Sequence, residues 1–118
     1  MLAAVPVPVC VETPQTNYEI GQCSAVEVIK ADQRMTAAWR KPLKDVGGSK
    51  TQTGQTLLVE QRAWIAFREK ACQEYQNPDL GRDAQIVDGP MCVANIINDR
   101  AKDLESRYQL NHQDQINP

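Results

Sequence analysis

The residues of this chain whose chemistry is most informative are its four cysteines: Cys10, Cys23, Cys72 and Cys92. An even number of cysteines in a chain of 118 residues fits two disulfides. Four thiolates can also hold zinc, but zinc sites normally bring cysteines in pairs separated by about two to four residues. The gaps here are far wider, which disfavours zinc. Unpaired core cysteines in a reduced compartment are the other alternative. We predict disulfides.

Other side chains offer little catalytic chemistry. The only histidine, His112, falls in a polar C-terminal stretch, so no convincing His-based triad or dyad can be proposed. Neither a glycine-rich phosphate loop nor a metal-ligand cluster is present in the sequence, and nothing singles out a glycosidase-like carboxylate pair. A formal net charge of −2 gives no basic footprint for nucleic acid. We therefore expect a protein that is not an enzyme and has no cofactor, metal or nucleic-acid partner.

The N-terminal part of the chain predicts an extended arm followed by a helix. Residues 1–15 carry three prolines among valines, and proline removes backbone donors and disfavours helix at the preceding residue. Thr16 and Glu19 then have the spacing of a capping box. Apolar residues recur at three- and four-residue steps beyond them, the pattern of one helical face. Pro42 is expected to end or kink this helix near Lys41.

Two further helices are predicted after a loop rich in glycine. The second is expected over about residues 55–75, and a loop over residues 76–89 follows it. Asp88 and Pro90 suggest an N-cap and an early proline for the third helix. The predicted fold is all-α, an antiparallel three-helix bundle stapled by two disulfides. Its parts are an extended arm (1–15), a helical domain (16–110) and a flexible tail (111–118).

This layout brings the cysteines to one pole of the bundle, because three of them lie at helix ends that meet there. Of the three possible connectivities we favour Cys10–Cys23 with Cys72–Cys92, since each bond joins neighbours in sequence. The geometry would also permit Cys23–Cys72 with Cys10–Cys92. Each bridge should contribute roughly 2–4 kcal/mol.

Four polar residues interrupt otherwise apolar helical faces, namely Asp32, Gln61, Arg68 and Arg100, and Arg62 follows Gln61 directly. A buried charge is costly unless it is paired, so these side chains predict a polar network between helices. Asp32 is expected to pair with Arg68 or Arg62. A binding hot spot is the alternative interpretation. Trp39 and Trp64 lie in apolar stripes and are expected in the core.

Charge is distributed unevenly between the two loops. Residues 74–89 hold Glu74, Asp79, Asp83 and Asp88 against Arg82, a net charge of −3. Residues 40–50 hold Arg40, Lys41, Lys44 and Lys50 against Asp45, a net charge of +3. In antiparallel helices these loops lie at opposite poles. The candidate partner-binding residues are Asp79, Arg82, Asp83 and Asp88; the alternative is a solvated loop whose carboxylates provide solubility and helix caps.

The segment 57–72, LLVEQRAWIAFREKAC, resembles the signature of the LprI-type lysozyme-inhibitor domain family. The remaining elements of that pattern are present in order: Cys10, Thr16-Asn17, Cys23-Ser24-Ala25, Ala31-Asp32, Trp39, Cys92, Arg100 and Leu104. The resemblance covers roughly residues 10–110. Family members usually have Leu-Asn and Tyr where this chain has Met35-Thr36 and Trp39, and the first loop is longer than usual.

The resemblance implies a helical domain exported across the inner membrane, with lysozyme inhibition as the activity named for a mycobacterial lipoprotein relative. Lysozymes of the c type are generally basic, so the acidic loop suits such a partner. We expect a periplasmic or secreted protein that binds and occludes lysozyme or another cell-wall hydrolase. No membrane insertion is expected, because no apolar run approaches the roughly 20 residues of a membrane span. The alternatives are an envelope adaptor or structural module, and an immunity protein against a wall-degrading toxin.

Overall fold

A computed structural model describes residues 6–108, which form an all-helical fold with two disulfides. The three α-helices are α1 (Asn17–Asp45), α2 (Gln52–Lys70) and α3 (Gly89–Ser106). Between α2 and α3 lie two 3-10 turns, Gln73–Gln76 and Pro78–Leu80, and a π-helical turn, Ala84–Asp88. Residues 6–108 contain no strand, so the predicted all-α class is confirmed. The predicted tail at 111–118, with His112, and the first five residues of the arm lie outside the described residues.

The N-terminus of α1 forms as its sequence predicts. The Thr16 hydroxyl accepts the backbone N–H of Glu19 at 3.1 Å, and the Glu19 carboxylate accepts the backbone N–H of Thr16 at 3.2 Å. Bonds from the backbone N–H groups of Gln15 and Thr16 hold the pKa of Glu19 below its ordinary value. These reciprocal bonds satisfy donors that a helix start otherwise leaves open.

Helix α1 does not end near Lys41, which was one of the two predicted effects of Pro42, because it continues through this proline to Asp45. The other, a kink, stays a prediction. A proline removes one backbone donor, and in the last turn of a helix few bonds remain to be lost. Pro42 is also among the most fully buried side chains, so its packing offsets that loss.

Helix α2 begins and ends earlier than its apolar pattern predicts. The Thr51 hydroxyl accepts the backbone N–H of Gly54 at 2.9 Å, which starts the helix at Gln52. At the other end Ala71 is extended and Cys72 has a left-handed φ of 68°, so the helix stops at Lys70. The predicted continuation to residue 75 is therefore wrong.

The predicted loop at 76–89 is largely helical turns, and Asp88 is not an N-cap. Asp88 has helical backbone angles (φ −70°, ψ −38°) and makes no side-chain capping bond. The π-helical turn before it leads directly into α3, so no extended cap residue is needed at this point. Pro90 does lie in the first turn of α3, as predicted.

Helices α1 and α3 form the main packed pair. Two buried clusters join them: Ala31 with Ala94 and Ile97, and Ala38 with Ala101 and Leu104. Alanine on both helices permits close approach. Trp64 and Trp39 are half-buried and pack against these two clusters, at the core positions expected from the sequence.

Helix α2 approaches α3 closely at few backbone positions. Leu57 and Trp64 supply its apolar contacts with the core, and side-chain hydrogen bonds and the Cys72–Cys92 disulfide complete its attachment. The antiparallel three-helix bundle therefore stays a prediction.

Candidate functional site

Two disulfides hold the end of the molecule where α1 and α3 begin. Cys10 is bonded to Cys23 and Cys72 to Cys92, which are the two pairs favoured from the sequence. The first bond fixes the arm to α1, where the Val9 backbone N–H also donates to Gln22 Oε1 at 3.1 Å. The second bond joins the end of α2 to the start of α3. Residues 73–91 are thus closed into a loop at this pole.

The acidic segment, residues 74–89, carries all four residues proposed for partner binding, three with carboxylates and one with a guanidinium group. Asp79, Arg82 and Asp88 are exposed and make no side-chain hydrogen bond or ion pair with other described residues. Asp83 differs, because its carboxylate accepts a hydrogen bond from Asn17 Nδ2 at 2.8 Å. Asp83 therefore attaches the segment to the start of α1, whereas the other three are available to a partner.

Internal bonds give the acidic segment a defined shape. Gln85 Nε2 donates to the carbonyl of Gln76 at 3.0 Å, and Gln76 Nε2 donates back to the carbonyl of Gln85 at 3.5 Å. Gly21 lets α1 approach the π-helical turn, since a Cβ at this position would lie 2.8 Å from the Ile86 carbonyl oxygen. The carboxylates are therefore presented from an ordered scaffold.

A largely apolar groove lies beside the acidic segment. It consists of a cavity of about 390 Å³ between α1 and residues 82–90, and a cavity of about 420 Å³ reaching the arm and the end of α2. Both cavities are lined by Ala25 and Pro90, so we treat them as one feature, the pole groove. Tyr18, with 71% of its surface exposed, and Arg82 line its outer part. Tyrosine and arginine are common anchors of protein interfaces.

The arm adds exposed apolar surface to this pole. Val7 and Val9 are 76% and 65% exposed, and Pro8 between them lines the pole groove. Ile29, which also lines the pole groove, is 40% exposed. The pole therefore has an apolar recess next to a segment of net charge −3, which suits a partner that has both apolar and cationic side chains. Asp88 itself lines a separate cavity of about 400 Å³ with Tyr75 and Met91.

The predicted pairing of Asp32 resolves in favour of Arg68. Arg68 Nη2 donates to both carboxylate oxygens of Asp32, at 3.0 and 2.9 Å, while its buried Nε has no partner among the described residues. Arg62 is exposed and makes no such bond with the described residues. The Asp32–Arg68 pair links α1 to α2.

Arg100 and Gln61 form a second polar cluster, between α2 and α3. Gln61 Oε1 accepts from Arg100 Nε and Nη2, and Arg100 Nη1 donates to Glu60 at 2.7 Å. The guanidinium also lies 5.9 Å from the centre of the Trp64 ring, within cation–π range. Every nitrogen of Arg100 is engaged within the protein, which favours a structural role over partner contact.

Glu60 is shared by two cations, since Arg107 Nη1 also donates to it at 2.7 Å. Partial burial opposes ionisation of Glu60, but the hydrogen bonds from Arg100 and Arg107 outweigh that effect and lower its pKa. The carboxylate therefore contributes to native stability in its ionised form.

Sequence reasoning identified the acidic segment but missed the pole groove. One signal was available: a glycine within a strong helical pattern, Gly21, often marks a close approach of another backbone. Groups of three or more histidine, cysteine, aspartate or glutamate residues that could hold a metal are absent from residues 6–108. None of the helices in this range is both long and apolar enough to cross a bilayer.

Comparison with known families gives a match over most of the chain. The model of the family described as Lysozyme inhibitor LprI matches residues 10–104. That span includes the four cysteines, the Asp32–Arg68 pair, the Arg100–Gln61 pair and every residue given for the pole groove except Pro8. No curated protein and no solved structure matches the chain. Because the family model covers most of the sequence, the chain belongs to the Lysozyme inhibitor LprI family.

Proposed function

We propose that this protein is a periplasmic or secreted inhibitor that binds a lysozyme-type cell-wall hydrolase and occludes its cleft, without catalysing a reaction itself. Family membership supports the inhibitor role. Two disulfides fit an oxidising compartment outside the cytoplasm. The observation that carries the proposal is the apolar pole groove beside an acidic segment that hydrogen bonds and the Cys72–Cys92 disulfide hold in one shape.

Charge complementarity determines which partner this surface suits. Asp79 and Asp88 are exposed and have no cationic partner among the described residues, so a basic enzyme would meet uncompensated negative charge. Such charges accelerate encounter and orient the partner more than they add affinity. The pole groove would supply the desolvated centre of the interface, where most binding energy is concentrated.

The disulfides would favour binding by limiting the ordering that it requires. Cys72–Cys92 closes the loop that contains the acidic segment, and the Asn17–Asp83 bond attaches that loop to α1. A surface already held in one conformation loses less conformational entropy on docking.

An envelope adaptor is the second candidate, and exposed apolar side chains of α2 favour it. Val59 and Phe67 are 64% and 55% exposed, on a helix whose backbone packs closely with its neighbours at few positions. An adaptor would use this face to hold a resident envelope protein.

An immunity protein would instead use the pole groove against a delivered wall-degrading toxin, so it differs from the leading proposal in the target alone.

A lysis assay tests the inhibitor proposal. Oxidised protein in excess should slow the clearing of a cell-wall suspension by a lysozyme of at least one structural class, with 1:1 stoichiometry in titration. Asp79→Asn with Asp88→Asn should weaken inhibition by roughly five- to tenfold at low salt, and the difference should shrink as salt rises. Glu69→Gln with Asp99→Asn is the control, because it removes two exposed carboxylates from α2 and α3. Unchanged lysis by every class tested would refute the proposal.

The pole groove is tested separately with Tyr18. Tyr18→Ala should weaken inhibition by more than tenfold if this side chain anchors the interface, whereas Tyr18→Phe should retain most of it. Equal inhibition by Tyr18→Ala and the parent protein would place the interface elsewhere. Recovery of a stable envelope complex without any effect on lysis would favour the adaptor.

A further inference from the structure

We propose that the cavity at the C-terminal end of α1 is a binding site for a phosphoryl group. The cavity has a volume of about 520 Å³ and is lined by Arg40, Leu43, Lys44, Gly47 and Gly48. At 1.5 Å per helical residue it lies about 30 Å along α1 from Cys23, so it is separate from the pole groove. It would therefore serve a ligand other than the proposed hydrolase.

Two exposed cations line this cavity in the last turns of α1. Lys41 is paired with Asp45 at 3.0 Å. Arg40 and Lys44 are exposed and form no ion pair or side-chain hydrogen bond with other described residues. They lie one turn apart on the same face of α1, where like charges repel each other. An anion bound between them would remove that repulsion.

The loop that closes the cavity is held in one conformation by hydrogen bonds. The Thr51 hydroxyl donates to the Val46 carbonyl at 2.8 Å and accepts from Gly54 N–H at 2.9 Å. Gly47 and Gly48 have φ values of 94° and 86°, in the left-handed region that favours glycine. Gly54 is required for a different reason, since a Cβ there would clash with the Gly48 carbonyl. The site is therefore formed before any ligand arrives.

The combination of donors favours phosphate over a carboxylate. The arginine guanidinium matches two phosphate oxygens in its planar fork, while the lysine ammonium can bond a third. The first turn of α2, just beyond the loop, has no acidic side chain, and the carboxylate of Asp45 is already engaged by Lys41. The lining of the cavity, to which Leu43 contributes, is mostly apolar and can contact the organic part of a phosphate ester.

Anion binding at this cavity would depend on local charge, because the overall charge of the protein is negative. The chain is net negative, so its general field does not attract anions. Binding must come from the +3 balance of residues 40–50, and it should weaken steeply with salt. A phosphoryl group can belong to a soluble phosphate ester or to the headgroup of an anionic lipid, and the experiment below separates these sources.

Amide chemical shifts of oxidised, ¹⁵N-labelled protein would report the site directly. Inorganic phosphate and glycerol 3-phosphate, titrated at constant ionic strength against chloride, should produce saturable shifts at Gly47 and Gly48. Co-sedimentation with phosphatidylglycerol–phosphatidylcholine vesicles, compared with phosphatidylcholine alone, examines the lipid source. Saturable binding of the soluble phosphates assigns a free ester, and binding confined to the anionic vesicles assigns a headgroup.

Matched variants decide whether the cavity is responsible. Arg40→Gln with Lys44→Gln should weaken binding roughly fivefold for each cation, about 25-fold together. Lys70→Gln with Lys102→Gln removes two exposed cations from α2 and α3 and should change binding little. The proposal is overturned if neither phosphates nor anionic vesicles bind, if both double variants bind equally, or if polyglutamate binds as well as phosphate does. Shifts in the parent protein answer the first question even if a variant folds poorly.

Discussion

Arg100 donates two hydrogen bonds to a single amide oxygen of Gln61, from Nε at 3.1 Å and from Nη2 at 2.8 Å. Both residues are buried, with 8% and 6% of their surfaces exposed. The amide nitrogen of Gln61 reaches across to Met35 Sδ at 3.2 Å. One side chain of α2 therefore contacts both α1 and α3, although the backbone of α2 packs closely at few positions. Directional polar contacts of this kind fix how a helix is rotated and shifted against its neighbours.

Replacing Gln61 with alanine should destabilise the fold by about 2–4 kcal/mol. The substitution leaves two donors of a buried guanidinium without an acceptor, and an unsatisfied buried charge costs more than the lost bond itself. Urea unfolding of the oxidised protein, followed by far-UV circular dichroism, measures the change. Arg62→Ala is the control on the same helix, since Arg62 is exposed and makes no hydrogen bond with the described residues. It should stay within about 0.5 kcal/mol of the parent. Similar losses in both variants would contradict the role given to Gln61.

Replacing Gly21 with alanine should also destabilise the protein, by about 1–3 kcal/mol. Alanine usually stabilises a helix by about 1 kcal/mol relative to glycine. Here the new Cβ would lie 2.8 Å from the Ile86 carbonyl oxygen, which is backbone and cannot rotate away. The acidic segment must then shift relative to α1, so inhibition should fall together with stability. Gln33→Ala, at an exposed position of α1, is the control. A Gly21→Ala protein that is more stable than the parent would show that the approach is not tight.

Local signals predicted the start of α1 well and the end of α2 poorly. Thr16 and Glu19 satisfy each other's backbone donors within four residues, so the start of α1 depends on nothing distant. The end of α2 is set instead by Cys72, which has a left-handed backbone conformation and is bonded to Cys92 in another helix. No periodicity in residues 55–75 reveals that constraint. The end of α1 predicted near Pro42 failed for a related reason, because the burial of this side chain depends on tertiary packing.

One part of the candidate site could likewise be predicted from the sequence, and the other could not. The charge of the acidic segment is a sum over neighbouring residues, and the sequence reveals it directly. The pole groove requires α1, the arm and the start of α3 to meet around Ala25 and Pro90, two residues with no distinctive chemistry. Arg68 and Arg62 were equally suitable partners for Asp32 until the rotation of α2 was known.

Acid should destabilise the protein in part through Glu60. Its pKa is lowered on folding from the ordinary value of 4.5, because Arg100 and Arg107 hold the ionised form. The resulting stabilisation is complete above pH 4.5 and is lost as pH falls through the lower native-state pKa. Glu60→Gln should therefore reduce stability at neutral pH and flatten its decline in acid. Urea midpoints measured across this pH range test the sign. Glu74→Gln, an exposed residue without side-chain bonds among the described residues, should decline in parallel with the parent. If Glu60→Gln declines in parallel as well, Glu60 does not contribute.

The left-handed backbone of Cys72 makes a further prediction about the disulfide that ends α2. Thiol titration of the denatured, unreduced protein should find all four cysteines blocked, as the two bonds require. Cys72→Ala with Cys92→Ala should lower stability by roughly 2–4 kcal/mol, mainly because the unfolded chain regains the freedom of the loop.

Alanine still has a Cβ, which disfavours a φ of 68° by about 1–2 kcal/mol. Cys72→Gly with Cys92→Ala removes that penalty and should be about 1 kcal/mol more stable than the alanine pair. Thermal unfolding of both double variants makes the comparison. Glycine usually destabilises a chain, so a less stable glycine variant would mean that residue 72 leaves the left-handed region once the bond is gone.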